Sequence, residues 1–272
     1  TLHFNGGELA VTQSTTSSRT FDFLGNGTVH VSLLQNLQLN GAMTGAGNLN
    51  KTGDGKFTIA GNNALYSGSV DVTTGALHVN SALLVPVAVH PFGLLGGNGS
   101  VGTVTNDGFV SPGNSIDTLT VMGNYTQSAT GSLVIEINDQ GQSDRLDITG
   151  TASLDGFLEV IPLNGSYFAN SHTYLALEAV GGRSGTFPHV LVLDPSLQLK
   201  INVVYTATQV LLQIGSNSLF VGPVLTEHNP QQVASYLESL QYFQNGTIIP
   251  SQRDLVDVIL RISRLDSNGV QK

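Results

Sequence analysis

The stretch GNLNKTGDGKFTIAGNNALYSGSVDVTTGALHV, residues 47–79, contains the pattern that predicts the fold. Within it, apolar residues alternate with polar ones in short runs, as at Phe57 and Ile59 and again at Leu77 and Val79. A period of two is typical of β-strands, and the Gly, Asn and Asp residues between the runs are typical of turns. The stretch is therefore predicted to be a unit of roughly thirty residues with four brief strands.

The same alternation continues on both sides of this stretch, from Leu2 to about Ile214. Turn sequences such as Gly53-Asp54-Gly55 and Asn106-Asp107-Gly108 separate the runs. The pattern predicts an all-β fold. Further runs of alternating apolar residues are Val70 and Val72; Leu119 and Val121; Leu133, Ile135 and Ile137; Leu146 and Ile148; Leu158 and Val160; Leu197, Leu199, Ile201 and Val203; Val210, Leu212 and Ile214.

The composition agrees with this fold class and excludes several functions. Charged residues make up 11% of the 272 residues, Gly occurs 32 times and Trp is absent. A chain so poor in Glu, Lys and Arg lacks the residues that favour exposed helices. With ten Lys and Arg residues and a formal net charge of −9, it has no basic cluster for nucleic acid or anionic lipid. The absence of Cys excludes disulfides, thiolate metal sites and a cysteine nucleophile.

Many short strands fit two architectures, an antiparallel sandwich or barrel and a solenoid. An antiparallel fold would contain frequent two-residue hairpin loops, but many of the Gly-containing links here do not join strands of equal length. The unit 47–79 also cannot bury its apolar edge alone, so it must stack on a neighbour. These points favour the solenoid, although the strand pattern is compatible with both.

The C-terminal tail has a different pattern. Asn229-Pro230 forms a helix start, and Ser251 with Asp254 resembles a capping box. Apolar residues at helical spacing follow both starts, so we predict two amphipathic helices within residues 216–272. At the other end, Thr1 begins in mid-pattern without a start Met or a cap. We therefore expect the chain to be a piece of a longer protein.

Two stretches resemble the passengers of autotransporters, the proteins of the type V secretion route. Residues 47–79, with Lys51-x-Gly53-x-Gly55 followed by Tyr66-x-Gly68, are similar to the passenger-associated repeat. Residues 97–152 contain GNGSV, SPGNSI, GNYTQ, SDRL and GTA in that order. This order resembles the autochaperone region that opens the C-terminal junction of such passengers.

Two shorter stretches extend the resemblance. Residues 174–187 are similar to the closing rungs of the same region, a rung being one turn of the chain around the solenoid. The sequence NPQQVA at 229–234 resembles the helical link to a membrane barrel. Residues 251–272 match no motif of the family, and residues 1–46 carry no sharp motif.

The resemblance implies a right-handed parallel β-helix with a short α-helical tail, at the Gram-negative cell surface or secreted. Its implied regions are passenger rungs at 1–96, autochaperone-like rungs and cap at 97–215, and a helical linker at 216–272. The implied partners are the protein's own C-terminal outer-membrane β-barrel and the barrel-assembly machinery. We expect the chain to support folding and secretion of a passenger related to adhesion or virulence, to have no cofactor and not to be an enzyme.

If the C-terminal rungs emerge from the cell first, they would form a nucleus on which later rungs stack. A terminal cap would also protect an edge of unpaired strand. The residues predicted to form this nucleus and cap are Leu119, Val121, Leu133, Ile135, Leu146, Ile148, Leu158, Val160, Phe187, Leu199, Ile201 and Leu212.

Three groups of polar residues are candidates for chemistry. Ser115 lacks a Gly-x-Ser-x-Gly elbow and a recognisable His partner, so its turn is predicted to be a tight corner whose side chains bond the backbone. Acids near Asp144 could bind Ca²⁺ or cleave polysaccharide, but they form no calcium loop, and Asp144-Arg145 is predicted to be a solvated turn. These acids are Glu136, Asp139, Asp144 and Asp147.

The seven histidines show no metal-ligand spacing, so no metal site is predicted. They are His3, His30, His78, His90, His172, His189 and His228. Two further hypotheses stay open beside the folding role. A ladder of Asn, Ser and Thr could bind a host-surface glycan or protein, or pair with another copy of the chain. A polysaccharide-active β-helix enzyme is the other alternative.

Overall fold

The computed structural model describes residues 1–163, 172–193 and 199–219 of the chain. These residues form strands and turns, with no helix among them. The expectation of an all-β fold is therefore confirmed, whereas the predicted tail helices lie outside the described residues. In the described ranges, no helix has the length and apolar character needed to cross a membrane.

The strands are mostly short, and β11 and β13 are the main exceptions in the first half of the chain. Their bounds are β1 Leu2–Phe4, β2 Glu8–Val11, β3 Thr15–Ser17, β4 Phe21–Phe23, β5 Gly27–Val31, β6 Asn36–Leu39, β7 Met43–Gly45, β8 Leu49–Thr52, β9 Lys56–Ile59, β10 Leu65–Tyr66, β11 Val70–Val79, β12 Ala82–Leu83, β13 Val87–Gly97, β14 Ser100–Val101, β15 Val104–Asn106, β16 Phe109–Pro112, β17 Thr118–Val121, β18 Tyr125–Gln127, β19 Ser132–Ile137, β20 Arg145–Ile148, β21 Ala152–Leu154, β22 Phe157–Pro162, β23 His172–Ala179, β24 Arg183–Gly185, β25 His189–Val192, β26 Leu199–Tyr205 and β27 Gln209–Leu219.

The strands follow one another in a repeating cycle around three faces. A rung contains one strand on the first face, one on the second and one on the third, as β4, β5 and β6 do. β11 and β13 each cover the second and third faces in one continuous strand. On the second face a single path, β2-β5-β8-β11-β13-β15-β18-β21-β24, runs through about eight turns. The chain is therefore a β-solenoid, and its right-handedness stays a prediction.

Every strand pairing between β1 and β25 is parallel, which distinguishes the solenoid from the sandwich or barrel. The rungs differ in length because the loops between strands differ. Gly27 pairs with Leu49, 22 residues later, whereas Ala152 pairs with Arg183, 31 residues later. Parallel stacking aligns like positions of successive rungs without requiring equal loops.

The stretch 47–79 contains four strands, β8 to β11, as its alternation predicted. It is not a single rung, however. Leu49 on β8 pairs with Val70 on β11, 21 residues later, so the stretch extends over more than one full turn. The prediction of a thirty-residue structural unit is corrected in this respect, because strand periodicity does not show which strand completes the cycle.

The alternating apolar residues point into the solenoid and fill its core. Phe57, Leu77 and Leu119 are each fully buried. In the first rungs the core is aromatic: Phe4 stacks on Phe23 with ring centroids 4.5 Å apart, and Phe23 lies 5.4 Å from the edge-on ring of Tyr66. Such ring pairs add to the stabilisation that burial alone supplies. The rungs that lack a sharp sequence motif therefore have a continuous core as well.

Lys51 is the largest charged side chain in the interior and explains the Lys-x-Gly-x-Gly sequence. Its Nζ donates hydrogen bonds to the carbonyl oxygens of Thr52 and Gly53, at 3.0 and 2.8 Å, and to that of Thr74 in the next rung, at 3.0 Å. Gly53 has a φ of 73°, and a Cβ at Gly55 would lie 2.2 Å from a carbonyl oxygen of the preceding rung. The two glycines therefore let the backbone turn where the ammonium group binds its carbonyls.

The C-terminal end of the described solenoid is closed by a hairpin. β26 and β27 are neighbours, and the Thr206 amide donates to the Gln209 carbonyl at 2.9 Å in the link between them. β27 pairs antiparallel with β23, where Tyr174 lies opposite Leu212. The direction of pairing thus reverses after the last parallel strand of the first face.

We expect Lys51→Met to lower the free energy of unfolding by about 2–4 kcal/mol, because buried carbonyl oxygens lose their hydrogen-bond donors. Urea unfolding of the purified chain, followed by far-ultraviolet circular dichroism, measures the change. Lys56→Met is the matched control, since Lys56 lies half-buried on β9 of the same motif. Equal effects of the two substitutions would contradict the role assigned to Lys51.

Candidate functional site

Eight of the residues predicted to form a folding nucleus lie in two adjacent rungs, β17 to β19 and β20 to β22, and stack in register. On the first face, Leu119 and Val121 of β17 pair with Leu146 and Ile148 of β20. On the third face, Leu133 pairs with Leu158 and Ile135 with Val160. All eight side chains are buried. The structure therefore brings these residues together as two apolar columns inside the solenoid, whereas their role as a nucleus stays a prediction.

The remaining predicted residues belong to the closing segment, and they are less uniform. Leu212 on β27 is fully buried, and Phe187 is 4% exposed with its amide donating to the Tyr205 hydroxyl at 3.1 Å. Ile201 on β26 is half-buried, and its part in the nucleus and cap stays a prediction. Leu199 begins the same strand, and its side chain lies outside the described set. β26 is the outermost strand of its sheet, so it has a neighbouring strand on one side only. This explains why Ile201 is less buried than the apolar residues of inner strands.

A buried polar network links the rungs from β15 to β22. The alternation of apolar residues in the sequence did not indicate this network. The side-chain Nδ2 of Asn106 donates to the Tyr125 hydroxyl at 3.0 Å and to the Ser132 carbonyl at 2.9 Å. The Tyr125 hydroxyl donates to Gln127 Oε1 at 2.6 Å. Gln127 Nε2 in turn donates to the Phe157 carbonyl at 2.9 Å, one rung further on. The sequence clue is the polar Asn and Gln at inward positions of otherwise apolar strands.

Burial changes the acid–base behaviour of this network. Removal from water raises the pKa of the fully buried Tyr125 phenol, and the hydrogen bond with Asn106 offsets part of that rise. The phenol therefore stays protonated at all physiological pH values and can donate to Gln127. A permanently neutral network suits a structural cross-link between rungs.

Asp144 is the second polar cross-link, and here the sequence interpretation was wrong. Asp144 is fully buried rather than part of a solvated turn. Its two carboxylate oxygens accept backbone N–H groups of Asp117, at 3.0 Å, and of Glu136, at 3.1 Å. Two backbone donors to one carboxylate replace the hydration that burial removes. Asp144 thereby ties the loop before β17 to strand β19.

The other acidic residues near Asp144 lie in the same part of the solenoid. Arg145 is an outward residue that hydrogen-bonds Asp147 on its own strand and lies 3.4 Å from Glu178 on β23. Its hydrogen bond with Asp147 raises the pKa of the Arg145 guanidinium further. Asp139 lies half-buried beyond the end of β19. In the described ranges, no three His, Asp or Glu side chains are grouped so that they could hold a metal ion.

Ser115 lies in the corner between β16 and β17, as predicted, but the corner is held differently. Its φ is 143°, an uncommon value for a residue other than Gly. Asn114 bonds side chains rather than backbone: its Nδ2 donates to Asn80 Oδ1 at 2.9 Å, and its Oδ1 lies 3.3 Å from His78 Nδ1. The corner is thus fixed by polar side chains from earlier rungs together with Asp144, which accepts the Asp117 backbone N–H.

The histidines are distributed over separate places. His3 contacts Asp22 at 2.9 Å, and His90 contacts Asp71 at 3.0 Å. His189 stacks on Phe157 with ring centroids 4.7 Å apart. His30 lies 3.3 Å from the Thr52 hydroxyl, His78 contacts Asn114, and the His172 ring packs edge-on against Tyr174. His228 lies outside the described residues. Each contact with Asp or Thr joins neighbouring rungs across the outer surface.

Comparison with known proteins gives relatives of modest similarity. The chain is 27% identical to an extracellular serine protease of Serratia marcescens over 84% of its own length and 22% of the relative's. It is 31% identical to the adhesin BmaC autotransporter of Brucella suis over 67% of its length and 5% of the relative's. It is 35% identical to the uncharacterized protein YuaQ of Escherichia coli K12 over 47% of its length and 10% of the relative's. The chain therefore spans less than a quarter of each, and no family model matches it.

The expectation that the chain is not an enzyme is contradicted by these comparisons. The Serratia marcescens relative is named as an extracellular serine protease, and its match covers most of the chain. The expectation rested on the lack of catalytic motifs in this chain. A chain that matches about a fifth of a relative can lack a motif without excluding the activity.

The relatives and the fold agree on the general class of protein. One relative is named as an autotransporter adhesin, and the described chain is a parallel β-solenoid that ends in a hairpin. These two findings fit an autotransporter passenger.

We expect Asp144→Asn to lower the free energy of unfolding by about 1.5–3 kcal/mol, because an amide accepts only one of the two backbone N–H groups with its single oxygen. Urea unfolding measures the change. Asp107→Asn, at an exposed position before β16, is the control and should stay within about 0.5 kcal/mol of the parent chain. A control as destabilised as the Asp144 variant would count against the cross-link.

Alkaline pH should destabilise the fold through its buried tyrosines. Burial raises the pKa of Tyr66 and Tyr125, and burial together with the charge of Asp139 raises the pKa of Tyr174 to about 12. Because the folded-state pKa values exceed the unfolded one, the stability is complete below about pH 10 and is lost as the pH rises through the folded values. Tyrosinate absorbance and urea midpoints measured across that range test this. Tyr125→Phe should remove one late-titrating group, and an unchanged titration curve would contradict the assignment.

Proposed function

We propose that this chain is the C-terminal region of an autotransporter passenger, and that its last rungs and hairpin seed and close the solenoid during secretion. The observation that carries the proposal is the reversal of pairing direction at β27 after parallel pairing along the whole preceding path. Similarity to an autotransporter adhesin supports the protein class.

The physical reason for a seed lies in the one-dimensional stack. The first rung to form loses chain entropy without a neighbour to cover its apolar edge, and each later rung adds to an existing template. A rung that is bonded to both neighbours by buried side chains lowers this initial barrier. Gln127 and Asp144 supply such bonds in the C-terminal half, between residues 27 to 30 positions apart on adjacent rungs.

On the first face, the hairpin also ends the parallel stacking. An exposed parallel edge would accept further strands and promote aggregation. β27 covers the edge of β23 in antiparallel register, with Leu177 opposite Val210. The phenol of Tyr205, on the outer strand of the hairpin, accepts the Phe187 amide and lies under the Arg183 guanidinium at 4.7 Å. These contacts attach the hairpin to the last rung and support its role as a cap.

The finer parts of the proposal follow the family resemblance. The chain would form a right-handed coil with passenger rungs at 1–96, an autochaperone-like region at 97–215 and a linker at 216–272. The linker would lead to an outer-membrane β-barrel of the same protein, assembled by the barrel-assembly machinery. The passenger would then be displayed on the cell surface or released.

A second function is proposed for the protein from which the chain comes. Similarity to a protein named as an extracellular serine protease favours proteolytic activity. The secreted full-length passenger would be assayed with casein and with a serine-directed phosphonate inhibitor. Inhibitor-sensitive cleavage supports this second function, and casein that stays intact in the presence of folded passenger contradicts it.

We expect Leu146→Asp with Ile148→Asp to remove protease resistance from the whole solenoid, because two buried carboxylates in the seed prevent the templating of every earlier rung. Limited proteolysis of the purified chain, read by mass spectrometry, measures which segments survive. Surface display of the full-length parent protein on its host cells should fall in parallel.

Val29→Asp with Val31→Asp is the matched control. Both valines are as deeply buried as Leu146 and Ile148, but they lie on β5 in the second rung. This variant should lose resistance in its first rungs and keep a resistant fragment that contains residues 97–193. If the two double variants lose the same segments, the solenoid has no C-terminal seed and the proposal fails.

A further inference from the structure

A polar groove lies on the outer surface of the N-terminal half, away from the rungs that carry the proposed folding role. It has a volume of about 420 Å³ and is lined by residues from the first five rungs. The side chains that form its wall, here called the groove ladder, are Thr28, Asn48, Asn50, Asp71, Thr73 and His90. Asn26, Gly6, Gly7 and Gly27 complete the lining.

The groove ladder has the regular spacing of the solenoid. Thr28 on β5, Asn50 on β8 and Asp71 on β11 pair with one another in register, so they repeat at the strand spacing of about 4.8 Å. From Gly7 in the first rung to His90 in the fifth, the groove extends over four spacings, or about 19 Å. It is a periodic surface that runs from rung to rung along the stack.

Hydrogen bonds between rungs hold the ladder side chains in place. The Thr73 hydroxyl donates to Asn50 Oδ1 at 2.6 Å, and the Ser69 amide donates to Asn48 Oδ1 at 3.1 Å. His90 Nε2 and Asp71 Oδ1 are 3.0 Å apart. Since their oxygens are engaged, Asn48 and Asn50 are fixed in orientation, and within the described part of the chain neither Nδ2 has a protein partner. The amide donors are therefore available to a ligand without further loss of side-chain freedom.

The chemistry of the lining favours an uncharged ligand rich in hydroxyl groups. Amide and hydroxyl side chains both donate and accept, which matches the paired donors and acceptors of sugar hydroxyls. The lining has no Lys or Arg, and its only charged types, Asp71 and His90, contact each other, so an anionic glycan finds no counter-charge. It also has no large apolar side chain of the kind that anchors protein partners.

The glycines give the groove its shape. Gly6 and Gly7 have φ values of 83° and 88°, and a Cβ added at either would meet no atom within 4 Å. The space beside them is open, so a flat ring can approach the backbone closely. An extended glycan whose pyranose units advance by nearly one strand spacing would keep each unit opposite one rung.

We propose that this groove binds an extended, uncharged glycan of about four sugar units, one for each strand spacing along the groove ladder. The binding uses the amides of Asn48 and Asn50 and the hydroxyls of Thr28 and Thr73. It depends on the solenoid and not on secretion, because the groove is formed by residues before 97. Failure of the glycan test would therefore leave the folding proposal standing, and the converse holds as well.

The test uses the purified chain and isothermal titration with cellobiose, cellotriose, cellotetraose and cellopentaose, and in parallel with the N-acetylchito-oligosaccharides of two to five units. We expect affinity to rise with each unit up to four and then to level off in at least one of the two uncharged series. Asn48→Ala with Asn50→Ala should weaken binding about tenfold or more, because the two amide donors assigned to the ligand are lost.

The matched control is Gln38→Ala with Thr58→Ala. These residues are paired in register and directed outward on the third face, on the same rungs but away from the groove. The control should bind as the parent chain does, and circular dichroism should show that both variants keep the β fold. The proposal would be overturned if neither uncharged series binds, or if the groove variant binds as tightly as the parent chain. It would also be overturned if tetragalacturonate binds more tightly than the uncharged tetrasaccharides, or if the chain binds only to a peptide array.

Discussion

Parallel stacking of rungs is the constraint on which the rest of this structure depends. In a parallel ladder every strand takes its backbone partners from the previous and the next rung, so a single rung satisfies neither its hydrogen bonds nor its apolar edge. The consequence is visible throughout the chain. Positions such as Val70 lie between Leu49 and Val87 in register, and the side chain inside the coil packs on like residues above and below. Stability is therefore shared between neighbours rather than held within any one rung.

Polar side chains inside the coil strengthen this sharing at particular points. Lys51 and Asn63 act in the N-terminal half, and Asn63 reaches three rungs by accepting the Met43 amide and donating to the Ala82 carbonyl. Gln127 and Asp144 act in the C-terminal half. Such groups are stabilising only when every donor and acceptor is matched. Their matching fixes the stacking register, since a slip by one residue would leave several buried polar atoms without partners.

The two proposals concern different parts of the chain. The proposed folding role rests on the closing hairpin and on the polar cross-links between the last rungs. The outer surface of the earlier rungs carries ladders that are repeated at one strand spacing, and this surface is available for recognition. Relatives named as an adhesin autotransporter and as an extracellular serine protease indicate that a solenoid of this kind occurs in proteins with different activities. The fold itself does not select among them.

The sequence by itself determined the all-β class, the position of most strands and the apolar residues of the core, because alternation with a period of two follows directly from strand geometry. Pairs such as Leu146 and Ile148 were identified in this way. Only the tertiary structure decided the length of a rung, the burial of Asp144 and the partners of Lys51, Asn106 and Gln127. These features depend on which residues, twenty to thirty positions apart, lie on adjacent strands. Loops of unequal length set that pairing, so no fixed period in the sequence indicates it.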